Sequence, residues 1–315
     1  MDRRFAKYLS RVDLVKNQVE RERLKEQESA AAKRRRIQQQ NKQRFEHQQQ
    51  LLRAELAARM AASVASGGDS ASSVDADAQA FITAASITDT TQQSAINQLV
   101  VDLKGYGIWT KMKALYPFVG GTNAQHAWNL KNTAQYKITW YGGVTSSSNG
   151  IIGNGTNGYG DTFLNNNVLA QNDNHLSVYV RTSGGNIGND LGSWNGSTFG
   201  ISMYTNFLGG FTAENNSGGT FFTFTQATQG GLYINRRISS TQFVQQRNLL
   251  KQTNNNNSSN HIATSFKLLR TGDFNGEYSN KNLAFASLGD GLTDTEAANF
   301  YTAVQTFQTS LNRQV

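Results

Sequence analysis

The chain has 315 residues, no cysteine and one proline, and its formal net charge at pH 7 is +8. Without cysteine it can form neither a disulfide framework nor a cysteine-based zinc site. The whole charge excess lies in residues 1–66, which carry 16 Lys and Arg against 8 Asp and Glu. The neutral remainder argues against a basic nucleic-acid cleft there. The sequence has no run of ~18 apolar residues and no secretory signal at Met1–Lys7, so we expect no membrane contact.

Residues 1–66 have the composition of a long, solvent-exposed helix. Between Asp2 and Ser66 there is neither glycine nor proline, and Ala, Gln, Glu, Lys, Arg and Leu dominate. Apolar residues recur at intervals of three and four near both ends, a spacing that another helix can cover. These anchoring and oligomerisation positions are Leu9, Val12, Val15, Val19, Leu52, Leu56 and Met60. We therefore expect a coiled-coil stalk, with a homotrimer as the favoured assembly, or a rod that lies along a partner.

The basic character of residues 1–66 has two interpretations. It is either a charged, solvated helical face with no ligand, or a surface that docks electrostatically onto an acidic protein or a nucleic acid. Nothing in the segment resembles a motif that reads bases.

Residues 67–74 form a flexible linker by composition, because they are mostly glycine, serine and other small or polar residues. Two helical patterns follow, the second with an apolar stripe through Ile96–Leu103. Ile108–Tyr116 is interpreted as one or two further helical turns. Residues 75–131 are therefore predicted to form a helical collar on the domain that follows.

The segment Tyr136–Leu288 holds 21 of the 29 glycines and only six carboxylates, so turns recur often. Apolar and polar residues alternate between the turns, which places one face of each strand toward a core and the other toward water. The alternating segments are Tyr136–Tyr141, His175–Arg181, Gly231–Arg236, Thr264–Arg270 and Asn282–Leu288. Gly-Gly, Asn-Gly and Ser-Gly pairs supply the positive φ angles of tight hairpins. We predict one antiparallel β-sandwich.

A helix is predicted at the end of the chain. Thr293 and Glu296 have the spacing of a capping box, and apolar residues follow at helical intervals. The predicted fold class is α+β. It has a long N-terminal helix as a coiled-coil stalk, a short helical collar, and an antiparallel β-sandwich over 132–315 closed by a helix at 293–312.

Four stretches, in order along the chain, carry a resemblance to a known family. They are Asp75–Asp89, Ile108–Gly121, Asn154–Tyr159 and Leu288–Ala297. From about Asp75 onward the chain resembles structural proteins of tailed bacteriophages, including the crAss-like group. The resemblance implies a laminin-G-like, concanavalin-type jelly roll displayed on a virion fibre or spike, assembled in the host cytoplasm and released by lysis. Anchoring through residues 1–66 to capsid, portal or tail proteins lies outside the resemblance and is an inference from charge and composition.

Concanavalin-type folds also house glycosidases, so catalysis needs separate consideration. Retaining glycosidases place two carboxyl groups ~5 Å apart. Asp273 and Glu277 have the closest acid spacing in the predicted sandwich, and we interpret that stretch as a turn. We therefore expect no enzyme. A glycan depolymerase remains an alternative, as does a purely structural connector whose β-domain packs on other virion proteins.

Metal binding has little support in the sequence. The oxygen-rich stretches Asn172–Asn174 and Asp273–Glu277 suit calcium in composition, but turn formation explains them better. The four histidines are scattered, without a local pair at metal-ligand spacing, so zinc is not expected. They are His47, His126, His175 and His261. We expect no cofactor, with calcium as the alternative.

Glycan binding is the favoured activity of the predicted sandwich, mostly by analogy with the fold that the resemblance implies. Sugar sites combine an aromatic platform with amide and hydroxyl groups, and two loop regions offer that combination. The candidate residues are Trp194 with Asn195 and Tyr204 with Asn206. The resulting hypothesis is a virion structural protein, of head or tail, that its N-terminal helix anchors and that displays the sandwich to host-surface glycans.

Overall fold

A computed structural model of the chain describes residues 74–182, 185, 188–225, 230–259, 261–272 and 276–315, with scattered positions between 16 and 50. Two compact units result, Met1–Asp69 and Ser70–Val315. Six of the predicted anchoring residues lie outside the described residues: Leu9, Val12, Val15, Leu52, Leu56 and Met60. The seventh, Val19, is helical and 59% exposed.

The predicted α+β class, organised by a long N-terminal helix, is wrong. The described part of the chain is mostly a β-sandwich of two sheets, with eight and seven strands, and its helices are few. The prediction gave weight to the helical composition of residues 1–66. Composition reports only a weak local preference, whereas most apolar burial in the described chain occurs between and around the two sheets.

The first sheet is antiparallel and has eight strands among the described residues. These are β1 (Met112–Tyr116), β3 (Thr145–Ser147), β4 (Gly150–Ile152), β6 (Asn174–Val180), β11 (Gly231–Arg237), β12 (Gln242–Arg247), β13 (Leu250–Asn255) and β15 (Asn282–Gly289). Their order is β13-β12-β11-β6-β15-β4-β3, and β1 pairs with β15 beside β4.

The second sheet has seven strands and packs against the first. They are β2 (Thr139–Tyr141), β5 (Tyr159–Asn165), β7 (Leu191–Trp194), β8 (Phe199–Phe207), β9 (Gly210–Asn215), β10 (Phe222–Phe224) and β14 (Ser265–Leu268). Their order is β10-β9-β8-β7-β14-β5-β2, so β2 is an edge strand. Each of the five segments predicted from alternation overlaps a strand of one of the two sheets, and these strand predictions are confirmed.

Within residues 74–315, four α-helices are described beside the sheets: α1 (Ala76–Ala84), α2 (Thr90–Gly105), α3 (Asn123–His126) and α4 (Asp294–Ser310). The predicted capping box of α4 is confirmed, because the Thr293 hydroxyl accepts from the Glu296 N–H and the Glu296 carboxylate accepts from the Thr293 N–H. None of the helices described is long and apolar enough to cross a membrane.

The prediction that each strand keeps one face in water is wrong for the centre of the eight-stranded sheet. Strands β6, β11 and β15 are buried along their whole length. On β6, alternate residues such as Leu176 face the core between the sheets, while His175 and Tyr179 face helix α4. Helix α4 covers the outer face with apolar side chains, and the ring of Phe300 lies 5.9 Å from that of His175.

The predicted helical turns over Ile108–Tyr116 are wrong in their second half. Only Trp109–Lys111 forms a 3₁₀ turn, and Met112–Tyr116 is strand β1. Residues 114–116 pair with 286–288 of β15, and the Tyr116 hydroxyl donates to the Tyr136 carbonyl at 2.6 Å. A short apolar stretch is compatible with either a helix or a strand when it is considered alone. Here it is a strand because it pairs with β15.

Candidate functional site

A cleft of about 680 Å³ lies beside the edge strand β2. Its volume falls within the roughly 300–1,000 Å³ of small-molecule sites in proteins. It is lined by Ala84, Ala85, Ser86, Asn123, Ala124, Gln125, Ala127, Trp128, Lys137, Ile138, Thr139 and Trp140. The lining combines two indole rings with amide, hydroxyl and ammonium groups. We call it the tryptophan cleft.

Three separate segments form the walls of the tryptophan cleft, and hydrogen bonds connect them. The Gln125 side chain donates to the Ser86 carbonyl at 3.3 Å, joining α3 to the residues after α1. The indole N–H of Trp140 donates to the Asn123 carbonyl at 2.8 Å. Asn123 in turn donates to the Val144 carbonyl at 3.3 Å. These bonds fix the spacing of the walls, which preorganises the cleft for a ligand.

Buried polar side chains support the cleft from behind. Asn129 is completely buried; its oxygen accepts from the Leu115 N–H at 2.9 Å and its amide donates to the Gln135 carbonyl at 3.2 Å. His126 accepts from the Gly121 N–H at 3.2 Å. Burial lowers the pKa of His126 to about 3, so it is neutral at ordinary pH. Its role is to hold the loop that leads into α3.

The electrostatics of the cleft are set by one cation. Lys137 is exposed, and its ammonium lies 3.5 Å from the centre of the Trp128 ring. That contact is a cation–π interaction, in which the ring attracts the charge. Among the described residues that line the cleft, Lys137 carries the only formal charge. No described carboxylate forms an ion pair with it, so the cleft offers an uncompensated positive group.

The first predicted glycan pair lies outside the tryptophan cleft, at the end of β7, which β14 and β5 separate from the edge strand β2. Trp194 is half-buried, and Asn195 is exposed in the turn that joins β7 to β8. The Asn195 side-chain oxygen accepts from the backbone N–H groups of Ser197 and Thr198, at 3.1 and 2.8 Å. These bonds build the turn. A glycan contact for this pair stays a prediction.

The second predicted pair lies near the opposite end of β8. Trp194 is paired with Phe199, and Tyr204 lies five residues further along the strand, about 17 Å away at ~3.4 Å per residue. The Tyr204 hydroxyl donates to Glu277 at 2.6 Å, and Asn206 donates to the Gly185 carbonyl at 3.4 Å. The structure therefore does not bring the two pairs together, and a glycan contact for Tyr204 and Asn206 also stays a prediction.

A stack of aromatic rings occupies the outer face of the seven-stranded sheet next to β2. Tyr141 and Tyr159 face each other across β2 and β5, with ring centres 4.8 Å apart and planes 14° apart. The Arg270 guanidinium lies 4.7 Å from the Tyr159 ring and 5.4 Å from the Tyr278 ring. Tyr141 is 41% exposed, so the stack presents an aromatic surface to solvent.

Glu214 is the described carboxyl with the most unusual environment. Burial raises its pKa to about 7, although the Gly219 N–H, the Ser217 hydroxyl and the Arg237 charge oppose the shift. One carboxyl oxygen accepts those two hydrogen bonds, and the other is buried without a partner. The side chain is completely buried, so a substrate reaches it only if the chain around Ser217–Thr220 opens.

The oxygen-rich stretches considered for calcium are engaged within the fold where they are described. Asp173 accepts from the Gly291 N–H at 3.0 Å, and Asn174 donates to the carbonyls of Ala170 and Gln171. Asp273 and Asn275 lie outside the described residues. No group of three or more acidic or histidine side chains suited to a metal occurs among the residues that the structure describes.

Sequence reasoning missed the tryptophan cleft. The sequence patterns place Trp140 in a strand and Trp128 in the collar, and they predict no contact that brings the two together. The available signal was the pair of tryptophans twelve residues apart with two lysines between them, Lys131 and Lys137, near an edge of the predicted sandwich. The tertiary contact between α3 and the start of β2 could not be read from that spacing.

Comparison with known proteins identifies distant structural likeness only. No protein-family model and no curated protein matches the chain. It is similar to domain 4 of AbnA, an extracellular arabinanase from Geobacillus stearothermophilus solved with arabinotriose, at 12% identity and a TM-score of 0.43, over 61% of this chain and 98% of that one.

Two further solved structures show the same level of likeness. Trypanosoma rangeli sialidase in complex with sialic acid has 10% identity and a TM-score of 0.44, over 65% of this chain and 38% of that one. The binding domain of Paraclostridial Mosquitocidal Protein 1 has 11% identity and a TM-score of 0.43, over 60% of this chain and 51% of that one. This chain thus spans well under two thirds of both, and the likeness is one between β-sandwiches.

Proposed function

We propose that the β-sandwich is a non-catalytic glycan-binding module and that the tryptophan cleft is its binding site. The observation that carries the proposal is the combination of two indole rings with amide and hydroxyl groups in one preorganised cleft. Aromatic rings pack on the apolar faces of sugar rings, and fixed polar groups orient the hydroxyls. A cleft on the surface beside an edge strand is accessible to a glycan chain.

The larger setting of this module is also a proposal. The sequence resemblance to phage structural proteins favours a virion fibre or decoration protein, tied to capsid, portal or tail proteins by residues 1–66 and exposed to the host surface. A trimer suits such a protein, because several weak sites on one rigid body bind with higher avidity than a single site.

Glycan-array binding of the full chain tests the proposed function. Trp128→Ala removes one wall of the cleft, and we expect at least a tenfold loss of binding to every positive glycan. Trp194→Ala is the matched control, because Trp194 is a half-buried tryptophan outside the cleft. Loss of binding in Trp194→Ala but not in Trp128→Ala would move the site to β7, and binding unaffected by Trp128→Ala would reject the cleft.

A glycan-cleaving enzyme is the second candidate, and the raised pKa of Glu214 favours it. A carboxyl group with a pKa of about 7 can act as a general acid at neutral pH. This candidate requires that the full chain releases reducing sugars from a capsular polysaccharide and that Glu214→Gln abolishes the release. The binding module predicts no release from either protein.

A further inference from the structure

We propose that the tryptophan cleft selects anionic saccharides, and that Lys137 is the residue that determines this selectivity. The inference rests on the proposed function and adds the chemical class of the ligand. The class is a sugar that carries a carboxylate or a sulfate group.

The first argument is the charge of the cleft. Lys137 is the only formally charged side chain among the described residues that line it, and no described carboxylate pairs with its ammonium. Most other described lysines of residues 74–315 form ion pairs, for example Lys267 with Asp161 at 2.9 Å and Lys281 with Asp190 at 3.1 Å, whereas Lys131 lies over the Trp109 ring, outside the cleft. An unpaired cation in a cleft is a site that an anion can complete.

The second argument is the position of the ammonium. It lies 3.5 Å from the centre of the Trp128 ring, so an anionic substituent bound by Lys137 is placed next to that indole. Because the ammonium covers that face of the Trp128 ring, the charged group of the sugar meets the lysine there, and the other indole of the cleft, Trp140, is the one on which the sugar ring can pack. The lysine ammonium and the Trp140 indole therefore contact two different parts of one sugar residue, its anionic substituent and its ring.

The third argument is the set of neutral groups around that position. Thr139 is exposed and supplies a hydroxyl. The Gln125 and Asn123 amides already donate to the Ser86 and Val144 carbonyls, and each keeps a second N–H for a ligand. Hydroxyl and amide groups satisfy sugar hydroxyls without adding charge. The cleft therefore has one position for a charged substituent and several for neutral ones.

Calorimetric titration of the full chain tests the inference with three oligosaccharides of equal length. One is an oligogalacturonate, one is a sulfated oligogalactose and the third is neutral oligogalactose. We expect the better of the two anionic ligands to bind about 3- to 10-fold more tightly than the neutral one at low salt, and this advantage to shrink between 50 and 200 mM NaCl. Preference for the uronate or for the sulfate identifies the source of the anionic group.

Three variants test whether Lys137 causes the preference for anionic ligands. Lys137→Gln should remove the anionic preference, with a larger loss of affinity for the anionic ligands than for the neutral one, while Lys137→Arg should keep the preference. Lys131→Gln is the matched control, because Lys131 lies 4.5 Å from the centre of the Trp109 ring and does not line the cleft. It should bind all three ligands like the parent. Because Lys137 is exposed, thermal unfolding of its variants should match that of the parent chain.

The outcomes separate this inference from the proposed function. Neutral and anionic ligands bound equally, with Trp128→Ala still losing both, would overturn the role of Lys137 and keep the glycan-binding module. Absence of binding to all three ligands and across a glycan array would overturn both. An anionic preference that survives Lys137→Gln would also reject the inference.

Discussion

The outer faces of the two sheets differ in how they are covered. On the eight-stranded sheet, helix α4 lies over the centre, and β6, β11 and β15 are buried on both faces. On the seven-stranded sheet, the side-chain hydroxyls of Thr271 and Ser202 form a hydrogen bond of 3.2 Å over strands β7 and β8. Along β5, by contrast, buried residues still alternate with more exposed ones. The same alternating sequence pattern occurs in both sheets. Alternation therefore predicts which residues of a strand share a face. Whether the outer face of the sheet reaches solvent depends on the helices and loops that pack over it.

This difference separates structural residues from candidate functional ones. Polar side chains on the covered face are used within the fold: the Nδ1–H of His175 donates to the Asp290 carbonyl at 2.6 Å, and its Nε2 accepts from the Ser287 hydroxyl at 3.0 Å. Burial lowers its pKa to about 4. The open part of the other sheet instead presents Tyr141 and the adjoining tryptophan cleft. We therefore expect mutations on the first face to change stability and those near the second to change binding.

The largest predicted difference is in the free energy of unfolding when one aromatic ring is removed from each of the two outer faces. Phe300→Ala deletes a completely buried ring that contacts His175 and Phe285, and should lower the free energy of unfolding by about 3–5 kcal/mol. Tyr141→Ala deletes a ring that is 41% exposed and should cost about 1 kcal/mol or less. Urea unfolding followed by circular dichroism measures both. Similar losses for the two variants would contradict the comparison.

The next largest predicted difference is in the stability lost when each of two ion pairs is broken. Lys281 and Asp190 are completely buried at 3.1 Å, and Asp190 also accepts from Thr205 and Ser279. Lys281→Met leaves a buried carboxylate without its cation and should cost about 3 kcal/mol.

Lys267→Met is the control for this experiment. Its partner Asp161 faces the open side of the seven-stranded sheet and retains 14% side-chain exposure. Water can therefore partly replace the lysine, and we expect a loss of about 1 kcal/mol in the same unfolding assay. A larger loss for Lys267→Met than for Lys281→Met would show that exposure does not separate the two pairs.

A smaller effect is the pH dependence contributed by Glu214. Burial raises its folded-state pKa to about 7, above the ordinary value of 4.5, so the folded protein retains a proton that the unfolded chain loses. Stability from this group is complete below pH 4.5 and falls as the pH rises toward 7, by at most ~1.4 kcal/mol per pH unit. Glu214→Gln keeps the shape and removes the titration.

The difference between parent and Glu214→Gln isolates this contribution. The histidines with lowered pKa values act in the opposite direction, because stability due to them falls as the pH decreases below about 6.5. They are present in both proteins and cancel in the difference. Unfolding free energies at pH 5 and pH 8 should show the variant gaining about 2 kcal/mol relative to the parent at the higher pH. A difference that does not change with pH would contradict the burial argument.

Local patterns predicted several elements well. The alternating segment Gly231–Arg236 became β11, and the Thr293–Glu296 spacing became the capping box of α4, because register and capping depend on residues close in sequence. Strand β1 was missed because its structure depends on pairing with β15, about 170 residues away.

The candidate site was harder to predict than the strands. Tyr204 and Asn206 have the chemistry of a sugar site, yet Tyr204 is 4% exposed and donates to Glu277. Residue type alone does not reveal which aromatic rings reach solvent. The tryptophan cleft depends on contact between the residues after α1, helix α3 and the start of β2, and such a contact is a property of tertiary packing.

Fluorine NMR of the full chain labelled with 5-fluorotryptophan tests the central claim most directly. The four tryptophans are Trp109, Trp128, Trp140 and Trp194, so each position gives one resonance that single substitutions can assign. During titration with the best glycan-array ligand, we predict that the resonances of Trp128 and Trp140 shift and that those of Trp109 and Trp194 do not. A shift confined to Trp194, or no shift at saturating ligand, would contradict binding in the tryptophan cleft.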